Sequence, residues 1–176
     1  MLPSTITTAR LLLRPPAPAD AEAIFDTYAQ DLEVTRYLIW RPHPDVATTC
    51  AFLERCAAGW AEGTELTWVV SGRDARDIRG MISLRPSDFQ ASIGYVLGRP
   101  WWGQGFMAEA ARAVVEAALA VPAICRVWAI CDYENLASAR VMEKIGMQRE
   151  ELLRRGVLHP NVSAEPRDCW LYSRVR

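Results

Sequence analysis

Apolar positions along this chain change period several times, and each change marks an element. Residues 10–14, Arg-Leu-Leu-Leu-Arg, read as a short buried strand closed by Pro15-Pro16. Asp20 then stands where it can cap a helix beginning near Ala21, with Ala23, Ile24, Thr27 and Tyr28 along one side. Residues 34–40 are apolar without a clear period, and Arg41-Pro42-His43-Pro44 breaks the run. Asp45 or Thr48 opens a second helix to about Glu62, with Phe52, Leu53, Cys56 and Trp60 at helical spacing.

Beyond Glu62 the period falls to two. Residues 65–71, 79–84 and 92–97 read as strands, with turns at Gly72-Arg73-Asp74 and Arg85-Pro86-Ser87-Asp88. Connections this short make an antiparallel meander, because parallel neighbours need a crossover of about a dozen residues. The spacing then predicts a helix over 103–121, whose apolar face comprises Phe106, Met107, Ala110, Ala111, Val114, Val115, Ala118 and Leu119. Residues 127–131 form the next strand, completing a βαβ crossover. A helix over 136–145 ends at Gly146 as a left-handed cap. Two last strands, about 148–153 and 169–175, flank a polar loop with His159-Pro160-Asn161. The expected class is α/β (α+β): one domain over residues 1–176, with a mixed, mostly antiparallel sheet of about 6–7 strands and helices on both faces.

Composition narrows the function classes. With 51% hydrophobic and 23% charged residues, the chain has the makings of a globular core rather than of disorder. Twenty Lys and Arg against 21 Asp and Glu leave a net charge of −1, which points away from nucleic acid and membrane surfaces as partners. The start, Met1-Leu2-Pro3-Ser4-Thr5, lacks the basic flank and apolar run of a signal peptide, and no apolar run reaches the ~20 residues that span a bilayer. The five cysteines include no CxxC pair, so they read as reduced thiols in a cytoplasmic protein, with neither disulfide nor metal.

Candidate chemistry concentrates in Trp101-Trp102-Gly103-Gln104-Gly105-Phe106-Met107-Ala108-Glu109-Ala110. Its glycines fall where the long helix begins, the arrangement that lets backbone N–H groups close around a phosphate. Gly103 to Ala108 also spells G-x-G-x-x-A, the fingerprint of a dinucleotide fold. The context differs: a meander precedes the glycines, where that fold has its first parallel strand. Asp132 stands roughly where its ribose-binding acid belongs, so a nicotinamide or flavin enzyme stays among the alternatives, as does a turn without ligand.

The run Ile93-Gly94-Tyr95-Val96-Leu97, then Trp102-Gly103-Gln104-Gly105-Phe106, then Glu109-Ala110 resembles the GNAT superfamily of N-acetyltransferases. Thr8-Ala9-Arg10-Leu11-Leu12-Leu13-Arg14-Pro15, Asn135 with Ser138, and Glu143-Lys144-Ile145-Gly146-Met147 resemble its RimJ/RimL-like branch, the ribosomal-protein N-terminal acetyltransferases. The likeness covers nearly the whole chain. Laid over it, the superfamily's Q/R-x-x-G-x-G/A loop runs from Trp102 to Met107 and matches a defined position only at Gly105.

The resemblance implies acetyl-CoA, or another acyl-CoA such as succinyl-CoA, as co-substrate, and no metal. Backbone N–H groups from Trp102, Gly103, Gln104, Gly105, Phe106, Met107 and Ala108 would hold the pyrophosphate. The Leu97 backbone would meet the pantetheine arm and thioester, Asn135 the pantetheine amides, and Lys144 or Arg140 the 3′-phosphate. Many members protonate the departing thiolate with a tyrosine at the position of Met142, which cannot donate; Ser138 is the residue the RimL-like branch would use instead. Glu150 and Asp88 are the base candidates, and Glu109 suits the helix dipole better than catalysis. Tyr37 and Trp40 would line the acceptor pocket.

An α-amine of pKa about 7.7–8.0 asks for less deprotonation at neutral pH than a lysine amine of about 10.4, so a water chain to a carboxylate can replace a strong base. The expected partner is therefore an amine acceptor, either a peptide N-terminus or a small molecule. Antibiotic or polyamine acetylation and a non-catalytic acyl-CoA sensor remain rival readings. A homodimer is implied by the family only.

Overall fold

The computed structural model describes residues 2–74 and 77–176. Eight strands are present among them: Ile6–Thr7 (β1), Leu11–Arg14 (β2), Leu66–Gly72 (β3), Ile78–Ser87 (β4), Gln90–Leu97 (β5), Arg126–Asp132 (β6), Gln148–Val157 (β7) and Arg167–Val175 (β8). The helices are Ala21–Ile24 (α1), Leu32–Thr35 (α2), Val46–Glu62 (α3), Phe106–Leu119 (α4) and Leu136–Lys144 (α5). All strands join one sheet in the order β1-β2-β3-β4-β5-β6-β8-β7, antiparallel except for β5 beside β6. The strand beyond the expected 6–7 is β1, whose two residues are too short to leave a periodic signal. No helix is long and apolar enough to cross a membrane among the described residues.

Strand alternation divides the core. Trp68, Val70, Ile82, Leu84, Ala91 and Ile93 pack with α4 and α5 on one face, while Val69 and Met81 pack with α1 and α3 on the other. The expected face of α4 is fully buried up to Ala118. The α5 helix ends in a Schellman arrangement: Met147 N–H reaches Met142 O at 3.0 Å, Gly146 N–H reaches Glu143 O at 3.0 Å, and Gly146 has φ +81.

Two local readings change. Asp45 does cap α3, accepting from Thr48 N–H at 2.8 Å. Asp20 does not cap α1; its carboxylate takes both guanidinium nitrogens of Arg14 (2.7 and 2.8 Å) and the Ala17 N–H (2.7 Å). A bidentate charge-assisted pair outweighs a single cap bond. The first helix is also not uniform: after α1 the chain widens into a π turn, Phe25–Ala29. The wider turn brings Tyr28 and Ala29 inward together and leaves Ala23 exposed.

Candidate active site

β5 pairs with β4 over its whole length but with β6 only at Gln90–Ser92 against Arg126–Trp128. Past that point the two parallel strands separate, and a V-shaped opening forms at their C-terminal ends. Gly98 N–H donates to Arg79 O at 2.8 Å, so the antiparallel alternation aims the N–H and C=O of Leu97 away from β4 and into the opening. The carbonyl is already met there by the indole N–H of Trp102 at 2.6 Å. Leu97 therefore presents its N–H as the open backbone group.

The glycine turn closes one side of the opening. Gly103 and Gly105 sit at φ +74 and +76, and an added Cβ would crowd neither. Glycine is required here by the left-handed backbone rather than by close approach within the protein. The first bond of α4 runs from Glu109 N–H to Gly105 O (3.1 Å), so the N–H groups of Phe106, Met107 and Ala108 lack helical partners. Three such donors at a helix N-terminus suit a pyrophosphate. The side chains of Phe106 and Met107 are buried in the core, which limits those residues to backbone contacts. Gln104 folds its side chain onto Pro100 O (2.8 Å) and offers its own carbonyl to Arg10 (3.0 Å).

Glu109 is a clamp for this turn. Its carboxylate accepts from the Thr8 hydroxyl (2.6 Å), the Arg10 N–H (2.9 Å) and the Arg10 guanidinium (2.6 Å). Although burial works against ionisation, these donors hold its pKa below the usual range. That is a tether between the N-terminal segment and α4, and a poor base.

On the other side of the opening, Asn135 accepts the Ser138 N–H through Oδ1 (3.1 Å) and so caps α5. Its Nδ2 has no protein partner among the described residues. Ser138 Oγ lies 2.8 Å from the hydroxyl of Tyr95, which crosses from β5. Met142 is fully buried and supplies no polar atom. Lys144 is exposed at the far end of α5, where its carbonyl accepts from Arg112 of α4. That end is about two turns from Ser138.

The two base candidates stand elsewhere. Asp88 lies in the turn before β5, so the 8 residues of that strand, about 26 Å, separate it from the opening. Glu150 lies on β7, three strand spacings or about 14 Å from β5. Its carboxylate accepts from the Ser173 hydroxyl and from Arg126 (2.5 Å), which starts β6 opposite Gln90. The Ser173 hydrogen bond and the Arg126 charge keep Glu150 ionised. Neither carboxylate is within direct reach of an amine at Leu97.

Tyr37 and Trp40, by contrast, are held near the C-terminal end of β6. Asn161, in the β7–β8 loop, donates to Thr35 O and Trp40 O, both at 2.8 Å. His159 from the same loop is buried beside Cys169 Sγ (3.5 Å) and Asp132 Oδ2 (3.8 Å). Its Nδ1 is buried without a hydrogen-bond partner among the described residues, and the backbone of Tyr37 and Leu38 lies close to the ring. Asp132, at the end of β6, takes Arg167 Nε (2.6 Å), Arg167 Nη2 (3.2 Å) and Glu134 N–H (3.0 Å). Burial would raise the Asp132 pKa, yet Arg167 and these hydrogen bonds hold it low. His159 is shifted below its ordinary value, chiefly by burial. It is a fastener of the 37–40 segment, too enclosed to meet an acceptor.

Tyr95, Asn161 and the Asp132–Arg167 pair were absent from the sequence-derived site. Alternation with Ile93 and Leu97 does place Tyr95 on the helix-packed face; nothing in the sequence names its partner.

Comparison with known proteins agrees with this fold. The family model described as Acetyltransferase (GNAT) domain matches residues 10–148. The uncharacterized N-acetyltransferase YoaA of Bacillus subtilis (strain 168) is 31% identical over 172 residues, covering 96% of this chain and 95% of that one. The crystal structure of a GNAT-family acetyltransferase from Bacillus anthracis superposes with TM-score 0.85 at 26% identity, covering 97% of this chain and 98% of that chain. RimL, a ribosomal L7/L12 α-N-protein acetyltransferase solved with coenzyme A, shares the fold with TM-score 0.86 at 18% identity, covering 97% of each chain. The chain belongs to the GNAT acetyltransferase family.

Proposed function

We propose that this GNAT acetyltransferase moves an acetyl group from acetyl-CoA to the α-amine of a peptide N-terminus or of a small molecule, by direct attack on the thioester. The opening between β5 and β6 would take the pantetheine arm, with the pyrophosphate at the unpartnered N–H groups of α4. Leu97 N–H would polarise the thioester carbonyl as charge develops on its oxygen. The Asn135 amide would hold the pantetheine, and Ser138 would protonate the departing thiolate.

The observation that carries the choice of acceptor is the placement of the carboxylates. Glu109 is tied to Thr8 and Arg10, Glu150 to Arg126 and Ser173, and Asp88 lies a strand length away. With none of these three carboxylates at hand, the acceptor is favoured that brings its own neutral fraction. An α-amine of pKa about 7.7–8.0 is about a tenth to a fifth neutral at pH 7, whereas a lysine amine of about 10.4 is neutral about once in a few thousand.

Release of CoA from acetyl-CoA, measured with N-terminal peptides, lysine side-chain peptides with blocked termini, polyamines and aminoglycosides, tests the reading. Turnover is expected with free α-amines and to rise with pH as the amine deprotonates. Faster turnover with blocked lysine peptides or polyamines overturns the α-amine reading. Acetyl-CoA binding with no CoA release from any amine overturns the transferase reading and favours a sensor.

A further inference from the structure

Two hydroxyls from different elements meet inside the opening. Tyr95 belongs to the part of β5 that has left β6, on the face shared with Ile93 and Leu97. Ser138 lies in the first turn of α5. The Tyr95 hydroxyl is 2.8 Å from Ser138 Oγ and 3.1 Å from Ser138 O. We propose that Tyr95 is a positioning residue for acyl transfer, spanning the opening to fix the Ser138 hydroxyl so that Ser138 protonates the departing CoA thiolate. The inference rests on the reading of Ser138 as that acid.

A serine in the first turn of a helix has competing uses for its hydroxyl, chiefly donation to a nearby backbone carbonyl and rotation among three staggered positions. The phenol removes that freedom. It donates to Ser138 Oγ or to the Ser138 carbonyl, and in either case the oxygen is held beside the opening. When the phenol hydrogen lies on Oγ, the hydrogen of Ser138 is left for an acceptor in the cleft. Burial pushes the Tyr95 pKa up, so the phenol stays protonated and serves as a donor of hydrogen bonds rather than as a source of protons. Met142, one turn further along α5, is apolar and fully buried, so α5 offers no second acid at that position.

The proton balance is simple. The amine nitrogen forms the new bond to the acyl carbon and gives one proton to solvent. The C–S bond breaks, and sulfur takes the Ser138 proton. Ser138 recovers a proton from solvent, so the amine loses one proton and the thiol gains one.

The test compares wild type with Tyr95→Phe, Ser138→Ala and the double variant. Two readouts are needed: steady-state acetyl transfer, and the ionisation of the thiol of bound CoA followed by thiolate absorbance. Tyr95→Phe keeps the ring and is expected to lower kcat about tenfold, the scale of one lost hydrogen bond, with KM for acetyl-CoA within about twofold. The double variant is expected to be no slower than Ser138→Ala. The bound thiol is expected to ionise below free CoA in wild type and to return towards it in both single variants. Unchanged kcat in Tyr95→Phe, or effects that multiply in the double variant, would overturn the proposal. If wild type turns over no amine, the acceptor reading has failed, and the thiol titration decides the role of Tyr95 alone. A bound thiol that ionises like free CoA in wild type then counts against it.

Discussion

The two sides of the opening beyond β5 are built by different means. On the proposed coenzyme side the candidate groups are main-chain ones: the N–H groups at the start of α4, the left-handed glycines, and the Leu97 N–H. Side chains there hold the turn from outside, as Glu109 does through Thr8 and Arg10. On the proposed acceptor side the 36–40 segment that follows α2 has no regular structure and is pinned by side chains, with Asn161 on the Thr35 and Trp40 carbonyls and His159 packed beside Asp132. A backbone site tolerates many substitutions and fails at particular φ angles. A side-chain site fails at single residues and can change its ligand without disturbing the sheet. The difference suits an enzyme with one acyl donor and a variable acceptor.

The sharpest way to separate the two sides is Asp132→Ala. The carboxylate is fully enclosed and carries three hydrogen bonds between the end of β6, Arg167 and Glu134, beneath the loop that holds the 36–40 segment, so its loss leaves Arg167 and His159 facing an unfilled polar site. About 2–3 kcal/mol of stability is expected to go, read by urea unfolding, with Arg167 partly rescued by its second contact, Glu134 at 2.7 Å. The acceptor KM should rise, while the Kd for acetyl-CoA stays within about twofold. Equal loss on both sides would mean that the opening is one cooperative unit.

Gly105→Ala makes the opposite cut. The added methyl meets only the Arg10 guanidinium at 3.7 Å, so its cost comes from φ +76. A left-handed L-residue costs about 1–2 kcal/mol. Part of that strain is expected to be relieved by turning the first N–H groups of α4, weakening acetyl-CoA about tenfold by calorimetry, with acceptor KM unchanged. Full affinity in a destabilised variant would move the phosphate contact away from this turn.

The same contrast explains what could be read from the sequence. The glycine turn, the apolar face of α4 and the Gly146 cap are local consequences of residue type, so spacing revealed them. The βαβ crossover followed from connection lengths. The separation of β5 from β6 left no such mark, because what meets there lies far apart along the chain, as Tyr95 and Ser138 do at 43 residues. Glu150 and Asp88 read as available because a carboxylate on a strand or in a turn is visible in a sequence, while its partner is not. Arg126 lies 24 residues from Glu150 along the chain. The cap role of Asp20 failed for a similar reason: Arg14 competed for it from the preceding strand.

The smallest expected effect is a pH dependence confined to the acceptor side. His159 is pushed below its ordinary pKa by burial and by the nearby Arg167 charge, with Asp132 opposing. His43, at 2.8 Å from the Thr49 hydroxyl, is lowered mainly by burial, with Arg55 adding to it and Asp45 opposing. Both depressed values mean that the unfolded chain binds more protons below about pH 6.5 than the folded one. Their contribution to stability is therefore complete above that pH and is lost as pH falls through the folded-state values. Thermal unfolding should move down a few degrees between about pH 7.5 and 5, and His159→Gln should flatten part of that slope. Acetyl-CoA affinity measured on the same samples should not follow His159, since its contacts are with the 37–38 backbone, Cys169 and Asp132. A slope unchanged in His159→Gln would leave His43 as the titrating group, and would place the acid-sensitive step at the start of α3 rather than at the β7–β8 loop.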